Sequence, residues 1–506
     1  MSVEMELKLC ITPEHLARLK RHPLLKTLAT TRASTRRIYN IYYDTLDLKL
    51  HGRAIALRLR RIGKQWLQTL KGGGGVQAGL HQRNEWEMPV ADEALDFAAL
   101  KASGAEHLAH SVRKKLQPLF VTEFSRTTRI LSFKGAEIEL CMDSGEIRAG
   151  KARRPISELE LELKSGEPAQ LFKLAQALLD IVPLEIEHTS KAEYGYRLFA
   201  DTRPAVVKAA MPDLAECPDV ACALQTMIVS CLAHLQANVP GAVQNLDEEY
   251  LHQVRVALRR LRVVLAMAET FRADAELSAL HEQVAELYVE LGRLREWDVF
   301  VTQILAPIRA RLPRQTGLRG VLRASEKLRA QHHAAVERKL QSGDYQRFLL
   351  RFGAWMHGGY WHEQAAERST LAHFAAQILD KHSLQAGKRG KHLDIANPAQ
   401  LHTLRIACKK LRYGAEIFAS LFDAGKTKRY LSALSSLQDT LGALNDFTVA
   451  QRLLGELGAE VQQESVALIR GWIERGRMDK SIKLGEQWKT VSRQRAFWRE
   501  AAGKKA

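Results

Sequence analysis

Hydrophobic and polar residues alternate with two different periods along this chain, and the change falls near residue 200. Before that point many segments alternate one apolar and one polar residue, which is typical of strands because successive side chains point to opposite faces. After it, apolar residues recur every three or four positions, which is typical of helices. The pattern predicts an N-terminal region rich in strands and a C-terminal region built of helices.

Three strand-like segments have a polar face made only of charged residues. Glu4, Glu6 and Lys8 share one face, and the same alternation returns at residues 57–60 and 158–164. A single strand of this kind is ordinarily the solvated side of a sheet. Three such strands, with acids and bases sorted onto different ones, favour a common site toward which the charged faces turn.

The N-terminal region divides into short predicted elements. The run of four glycines at residues 72–75 indicates a loose hairpin loop, since no GK[ST] helix start follows it. Predicted helices cover residues 12–28, 92–103, 107–116 and 168–179. After the first strand at residues 3–9, further strands are predicted at residues 37–43, 54–61, 65–71, 81–89, 119–125, 129–134, 136–143, 155–164 and 185–194.

Charged faces on several strands are explained if the sheet closes on itself. The predicted fold class is therefore α+β, with an N-terminal antiparallel eight-stranded β-barrel and flanking helices. The charged faces then line a tunnel, where charges must be paired or bound to ligands. A phosphate chain with divalent cations satisfies both signs, because bases bind phosphate oxygens and carboxylates bind hard cations.

The helical region repeats itself. Residues 251–262 resemble residues 401–412 at a distance of 150 residues, and Leu291-Gly292 matches Leu441-Gly442 at the same distance. We therefore predict a C-terminal all-α domain of two helical bundles related by a pseudo-twofold axis. The predicted divisions are a tunnel domain at 1–203, a linker at 204–218 and a helical domain at 219–506, whose repeats cover about 219–360 and 361–506.

Each repeat carries a basic stripe on one face of a helix. A solvated helix face is the ordinary explanation of a run of charges. This stripe has almost no acids beside it and occurs twice, which favours an anion-binding groove. A single histidine per helix is more often a hydrogen-bonding partner than a metal ligand. The stripes consist of His252, Arg255, Arg259 and Arg262, and of His402, Arg405, Lys409 and Arg412.

The composition indicates an anionic partner but does not show which part of the chain binds it. The 506 residues carry a net charge of +18, and both halves are basic: residues 1–200 hold 31 bases against 24 acids. The six cysteines form no CxxC pair, which suits a reducing compartment. No apolar run approaches the roughly 20 residues of a membrane span, and the N-terminus does not resemble a secretory signal. We expect a cytoplasmic protein with no membrane association.

Several motifs of the first 200 residues resemble, in order, those of the CYTH domain, also called the triphosphate tunnel metalloenzymes. Its ExExK signature is similar to residues 4–8, its ALRxR strand to residues 56–60 and its WxQTLK strand to residues 66–71. The remaining matches are YFDT at 42–45, RxExE at 83–87, LDxG at 142–145, ExELELK at 158–164 and a terminal SK at 190–191.

The resemblance implies a role for particular residues. The phosphate-binding set would be Lys8, Arg58, Arg60, Lys71, Arg126 and Lys191. One or two Mg²⁺ or Mn²⁺ ions would be held by Glu4, Glu6, Asp143, Glu160 and Glu162, and catalysis would depend on Glu4, Glu6, Lys8, Lys71, Glu85 and Glu87. Glu158 and Lys164 are expected to form salt bridges instead. Arg129 and Tyr194 depart from the family pattern, which leaves substrate preference open.

The implied reaction is metal-assisted attack of water on inorganic triphosphate, giving diphosphate and phosphate. Residues 402–412 and 441–446 in turn resemble the HxxRxxxKxxR stripe and LGxLND turn of the CHAD domain. That resemblance implies binding of polyphosphate and association with polyphosphate granules.

Other functions remain open from the sequence. A class IV-type adenylate cyclase, or a hydrolase of another organic triphosphate, would use the same tunnel. A scaffold with an inert barrel could bind polyphosphate or target granules, although the intact charged strands argue against it. Nucleic-acid binding ranks lowest because no base-reading motif is present. The sequence leaves the oligomeric state and the choice between Mg²⁺ and Mn²⁺ open.

Overall fold

A computed structural model describes residues 2–77, 80–102, 110–361, 370–458 and 461–502, without the side chains of 2–4, 73–77, 81–83, 110 and 500–502. The chain forms two compact units. The tunnel unit consists of Met1–Ala205 and Gln341–Glu363, and the helical unit consists of Val206–Leu340 and Gln364–Ala506. The sequence placed residues 341–363 in the helical domain, and this segment is the main difference from the predicted boundaries.

Nine strands form one antiparallel sheet in the tunnel unit. The order is β5-β4-β3-β2-β6-β7-β8-β1-β9, and β5 also pairs with β1. Eight strands therefore form a closed ring, as predicted, and the two-residue β9 is an addition beside β1. The strands are β1 Ser2–Cys10, β2 Ser34–Asp44, β3 Ile55–Ile62, β4 Gln65–Gln77, β5 Leu80–Val90, β6 Gln117–Phe133, β7 Ala136–Ala149, β8 Ala152–Ser165 and β9 Glu185–Ile186.

The alternation of β3 shows how the ring sorts its side chains. Leu57 is fully buried and belongs to an apolar cluster outside the ring with Leu70, Leu100 and Val112. Arg58, its neighbour in the chain, faces the interior. Apolar burial on the outer face thus leaves the charged face turned inward, as the sequence predicted.

The helices of the tunnel unit differ from the prediction at two places. The helix expected at 12–28 is two helices, because Pro23 follows His22, whose extended backbone (φ −66°, ψ 137°) ends the first one. The strand expected at 185–194 gives way to a helix capped by Ser190. The helices are α1 Pro13–Arg21, α2 Pro23–Leu28, α3 Phe97–Ala102, α4 Ala169–Leu179 and α5 Lys191–Ala200, with 3₁₀ turns at His51–Arg53 and His110–Lys115.

Two strand predictions were also wrong. The glycines at 72–75 lie inside β4, with a register shift between Gly72 and Gly75, instead of forming a loop. The strands expected at 119–125 and 129–134 are one continuous strand, β6, paired along its length with β7.

The helix expected at 107–116 is a 3₁₀ turn over its described part, and residues 103–109 lie outside the described residues.

Helix α11, Gly343–Met356, belongs to the tunnel unit although it comes from the C-terminal half of the chain. Its Gly353 lies against Phe172 of α4, where a Cβ atom would come within 2.2 Å of the ring. Gln346 accepts a hydrogen bond from the backbone N–H of Ile186 at 3.0 Å. Arg347 pairs with Asp180 at 2.8 Å. A 3₁₀ turn at Gly359–Trp361 follows.

The helical unit contains two similar sets of four long helices. The helices are α6 Val220–Val243, α7 Glu248–Phe271, α8 Ala275–Val299, α9 Ala306–Arg311, α10 Gly317–Leu340, α12 Leu371–Gly390, α13 Pro398–Ile417, α14 Ala424–Glu456, α15 Gln463–Ser492 and α16 Phe497–Ala502. The starts of α7 and α13 are 150 residues apart, at Glu248 and Pro398, and the other matched pairs are α6 with α12, α8 with α14 and α10 with α15.

One apolar cluster joins the two sets. It contains Trp297 at the end of α8, Val321 of α10, Leu453 of α14 and Ile469 of α15. A π-helical segment, Phe300–Leu305, connects α8 to α9 within this cluster. The sets therefore share a core, which holds the two copies of the repeated helices together.

Helix α6 has the length and the hydropathy of a membrane-spanning helix, which the sequence analysis did not anticipate. Its 24 residues are long and apolar enough, at a mean hydropathy of 1.5, to cross a membrane. However, 56% of that window is buried inside the structure, and core helices of soluble proteins pass the same test. The helix is weak support for a membrane span.

Candidate active site

Six basic side chains converge on one cavity inside the ring, which has a volume of about 660 Å³. Each comes from an inward position of a strand or, for Lys191, from the first residue of α5. These are the residues that the sequence analysis predicted to bind phosphate: Lys8, Arg58, Arg60, Lys71, Arg126 and Lys191.

Carboxylates share the same cavity. The predicted residues among them are Glu6, Glu85, Glu87, Glu160 and Glu162. Asp143 is fully buried and does not line the cavity, so its predicted contact with a metal ion stays a prediction. The side chain of Glu4 lies outside the described residues, although its backbone pairs with that of Arg83 in β5.

Three buried carboxylates, those of Asp143, Glu158 and Glu160, have oxygens within 4.8 Å of one another. The ammonium group of Lys191 lies among them, 2.7 Å from Asp143 and 3.0 Å from Glu160, and it also contacts Glu158. Burial opposes the charge of this lysine, but the three carboxylates outweigh burial and raise the pKa of Lys191 well above its ordinary value. The lysine is therefore a cation fixed at the base of the cavity.

Glu160 is the centre of this network. Lys8 and Arg126 both contact it, and Arg126 also donates to Asp143 at 2.7 and 2.8 Å. Burial favours the neutral acid, but Arg126, Lys191 and Lys8 together hold the pKa of Glu160 well below its ordinary value. The buried charges are thus paired with one another, as a stable interior requires.

The opposite wall of the cavity is less completely neutralised. Glu85 accepts from Arg58 at 3.3 Å and pairs with Lys71 at 3.2 Å. Arg60 donates to the Asn40 side chain at 2.9 Å, and its nearest ion-pair partner, Glu87, is 4.0 Å away. Burial and the neighbouring guanidinium groups lower the pKa of Arg60 to about 10. An anion entering the cavity would relieve this repulsion.

A row of carboxylates crosses three neighbouring strands and faces the cavity. Glu6 of β1 and Glu139 of β7 are each paired in register with Glu162 of β8. Glu6 pairs with Lys8 at 3.0 Å, and Glu162 and Glu139 pair with Lys164 at 2.6 and 3.5 Å. The side chains of Glu139 and Glu162 are each 25% exposed. Accessible carboxylate oxygens of this kind fit Mg²⁺ or Mn²⁺, whereas the charges of the buried group are already matched by bases.

Sequence reasoning missed two inward residues. Tyr42 stacks on Phe120 with ring centroids 4.6 Å apart, and its hydroxyl accepts from Arg58 at 3.4 Å. Burial favours the protonated phenol, but Arg58 and Arg60 outweigh it and lower the pKa of Tyr42. Glu139 lies in the strand predicted at residues 136–143, but it was not among the predicted site residues. Alternation on β2 and β7 was the available signal for both, since each shares its face with a predicted site residue or a charged neighbour.

Tyr194, which departs from the family pattern, has a structural role here. Its hydroxyl donates to Glu187 at 2.8 Å, and Glu187 also accepts from the backbone N–H of Thr189 at 2.7 Å and from Cys10 at 3.0 Å. These bonds fix the turn that precedes Lys191. The predicted salt bridges of Glu158 and Lys164 are present as well.

In the helical unit, the two basic stripes lie on α7 and α13 and approach one another. The guanidinium group of Arg259 on α7 lies 4.9 Å from the ring centroid of Tyr413 on α13. Arg255 lies 4.2 Å from the ring centroid of Tyr288 and donates to that residue's carbonyl oxygen at 2.6 Å. The stripes therefore come together in one basic region, which we call the stripe groove, and do not extend as two separate surfaces.

Three further stripe residues contact neighbouring side chains. His402 is hydrogen-bonded to Asn445 at 3.0 Å, the kind of partner that the sequence analysis favoured. Arg412 pairs with Glu416 at 2.9 Å. Arg262 lies 5.4 Å from the Tyr288 ring centroid. The groove thus contains more polar pairing than the sequence suggested.

Several charges in the stripe groove are not fully compensated. Arg259 and Arg405 each bury a guanidinium Nε that has no hydrogen-bond partner among the described residues. Burial, Arg405 and Arg259 lower the pKa of Lys409 to about 6, and burial and Arg295 lower the pKa of His252 to about 4. Buried polar groups without partners and like charges in proximity are both costly, and an anion in the groove would relieve both.

Comparisons with known proteins match two parts of this chain, one in the strand-rich region and one in the helical region. The family model of the CYTH domain matches residues 2–196, and that of the CHAD domain matches residues 226–455. An inorganic triphosphatase of Haemophilus influenzae is 34% identical over 198 residues, which are 39% of this chain and 55% of that protein. The match thus spans about half the length of this relative. The crystal structure of the CHAD domain from Ricinus communis is 29% identical and has a TM-score of 0.50, covering 58% of this chain and 96% of that one.

Proposed function

Because this chain carries a CYTH domain followed by a CHAD domain, we propose that the tunnel unit hydrolyses inorganic triphosphate to diphosphate and phosphate. The observation that carries the proposal is the convergence of six basic side chains and several carboxylates on one cavity of about 660 Å³. The similarity to an inorganic triphosphatase supports the same substrate.

The basic residues bind and orient the phosphate chain. Arg58 and Arg60 each present a planar fork that binds phosphate oxygens at two points. Lys191, held by its three carboxylates, presents a fixed charge from the opposite wall. As water attacks the terminal phosphorus and the bond to the bridging oxygen breaks, these groups stabilise the charge that develops on the leaving diphosphate.

Glu6 and Glu162 are the residues best placed to hold Mg²⁺ or Mn²⁺, with Glu139 beside them and Glu4 as a further candidate from the sequence. A divalent ion supplies neutralisation of phosphate oxygens and a lower pKa for the attacking water.

Phosphate release from the purified full-length protein tests this proposal. We expect hydrolysis of inorganic triphosphate that depends on added Mg²⁺ or Mn²⁺ and is lost with EDTA. Parallel assays with ATP and thiamine triphosphate, with detection of cyclic AMP, separate the other triphosphate functions. Faster turnover of ATP, or formation of cyclic AMP, would replace the proposal with one of those alternatives.

We further propose that the stripe groove binds polyphosphate. The supporting observations are the proximity of Arg259 to the second stripe and the unpartnered Nε atoms of Arg259 and Arg405. Neutralising Arg255, Arg259, Arg405 and Lys409 together should abolish binding of long polyphosphate at this groove and so weaken its retention across a salt series. Equal retention by this variant and the unaltered protein would show that these four residues do not bind polyphosphate. Such binding, in a cytoplasmic protein, would bring it to polyphosphate granules.

A further inference from the structure

A second basic concavity lies in the helical unit and shares no residue with the stripe groove. It has a volume of about 990 Å³ and is formed by the start of α14, the end of α15 and the segment before α16. We call it the terminal pocket. Its charged lining consists of Lys426, Arg429, Lys489, Arg493 and Arg495, with Glu486 as the single acid.

The start of α14 carries positive charges at the end of the helix where the helix dipole disfavours them. Lys426 lies in the first turn and Arg429 in the second, and the first turn has no acidic residue. The N-terminus of a helix has a partial positive charge, so cations there repel the helix dipole. The N-cap Asp423 is bonded to the backbone N–H of Lys426 at 2.7 Å. The placement of these cations therefore does not stabilise the helix.

Cations from a second helix end meet the first two. Lys489 and Arg493 lie at the C-terminal end of α15, where they would suit that helix's dipole alone. In the same pocket they add to the positive field of Lys426 and Arg429. Within the described ranges of the chain, no carboxylate lies within 4.0 Å of Arg429, Lys489, Arg493 or Arg495.

We propose that the terminal pocket is a second binding site for polyphosphate. Three of its five cations are arginines, whose planar forks match phosphate oxygens. The only aromatic side chain in its lining, Phe497, is 5% exposed and packs edge-on against Phe422 and Tyr430. Single-stranded nucleic acids are ordinarily bound with exposed aromatic rings on which bases stack. A phosphate chain without bases fits this lining better.

The test measures binding of a medium-length polyphosphate to the full-length protein by calorimetry. The variant is Arg429→Gln, Lys489→Gln, Arg493→Gln. The matched control is Arg470→Gln, Lys480→Gln, Lys483→Gln, which removes the same charge from exposed positions of α15 outside the pocket. We expect two sites per chain in the unaltered protein and in the control, and one in the pocket variant.

The salt dependence gives a second readout. Each phosphate contact contributes about 0.7 to the slope of log K against log salt for a single-stranded polyanion. Loss of three contacts should therefore lower the slope at this site by about 2, measured in a protein whose stripe groove has been neutralised as described above. Arg429→Lys with Arg493→Lys should restore most of the slope, because charge is retained.

The outcomes separate this proposal from that for the stripe groove. If the stripe variant keeps one site and the combined variant keeps none, both proposals stand. If the pocket variant loses no more than the control, the terminal pocket is not a polyphosphate site, whatever the stripe variant does. Equal competition by a single-stranded oligonucleotide for the pocket would overturn the choice of polyphosphate.

Discussion

Arg60 shows how strongly the identity of one side chain depends on its surroundings. Its pKa is lowered to about 10 by burial and by Arg58 and Arg126. A lysine at this position would begin from a lower ordinary pKa and meet the same repulsion, so part of it would lose its charge. It would also lose the fork that binds two phosphate oxygens.

We therefore expect Arg60→Lys to lower kcat/KM for triphosphate by about 10- to 100-fold, a range typical of one charged phosphate contact. Steady-state kinetics measure the effect. Arg61→Lys is the matched control, because Arg61 is exposed on the other face of β3 and stacks near Trp66 at 5.6 Å. Similar losses in both variants would assign β3 a structural role only.

The lowered pKa of Lys409 predicts that polyphosphate binding to the stripe groove depends on pH. Its pKa of about 6 means that the side chain is mostly neutral at pH 7. A bound polyanion favours the ammonium form and raises this pKa, so binding takes up a proton. Polyphosphate affinity should therefore rise as pH falls from about 8 toward 6.

Calorimetry in buffers of different ionisation enthalpy measures that proton uptake directly. Lys409→Met should remove most of it, and Lys409→Arg should bind tightly with little pH dependence because its charge is permanent. Proton uptake that persists in the methionine variant would point to another group, such as His252, whose pKa is about 4.

The face of each strand residue could be predicted from the sequence, whereas its depth could not. Alternation identified Arg58 and Arg60 as inward because a strand has a period of two. The same alternation predicted that Asp143 and Glu160 both face inward. In the structure Asp143 is buried beneath Arg126, whereas Glu160 lines the cavity. Depth depends on neighbouring strands, which the local pattern does not contain.

At the scale of elements, the contact of α11 with α4 predicts a specific effect on stability. A Cβ atom at Gly353 would lie 2.2 Å from the ring of Phe172, which is fully buried. Overpacking of this kind costs about 1–3 kcal/mol. We expect Gly353→Ala to lower the free energy of unfolding of the tunnel unit by that amount.

Thermal and urea unfolding measure this change. The control is Gly343→Ala at the start of the same helix, where the new Cβ would have nothing within 4 Å. That variant should be neutral or slightly stabilising, since alanine favours helix over glycine. Equal destabilisation by both substitutions would show that contact with Phe172 is not responsible.

Element type was easier to predict than element partner. Helical periodicity identifies α11 as a helix, but its buried side is equally suited to either unit, because apolar faces are not specific. Similarly, β6 looked like two strands because polar residues interrupt its pattern. Pairing with β7 over its full length keeps it continuous.

At the scale of the whole molecule, the tunnel cavity and the stripe groove use no common residue. We therefore expect that substitutions in one of these sites leave the function of the other unchanged. Neutralising Arg255, Arg259, Arg405 and Lys409 should leave triphosphate hydrolysis within about twofold of the unaltered protein, because none of these four residues lines the cavity. Glu6→Ala should abolish hydrolysis and leave polyphosphate retention unchanged.

Both variants are to be measured in both assays on the full-length protein, with unfolding curves as a control for folding. If neutralising the stripe groove slows hydrolysis more than about tenfold, which is an increase of about 1.4 kcal/mol in activation free energy, the two sites are not independent.

The position of α11 in the chain has a consequence for synthesis. Residues 206–340, which belong to the helical unit, are made before Gln341–Glu363, which completes the tunnel unit. On the ribosome, the ring of strands must therefore wait with the apolar face of α4 uncovered until α11 emerges. During that interval the nascent chain exposes apolar surface of the kind that favours aggregation, and a stop or cleavage between the two segments would yield a tunnel unit lacking its last helix.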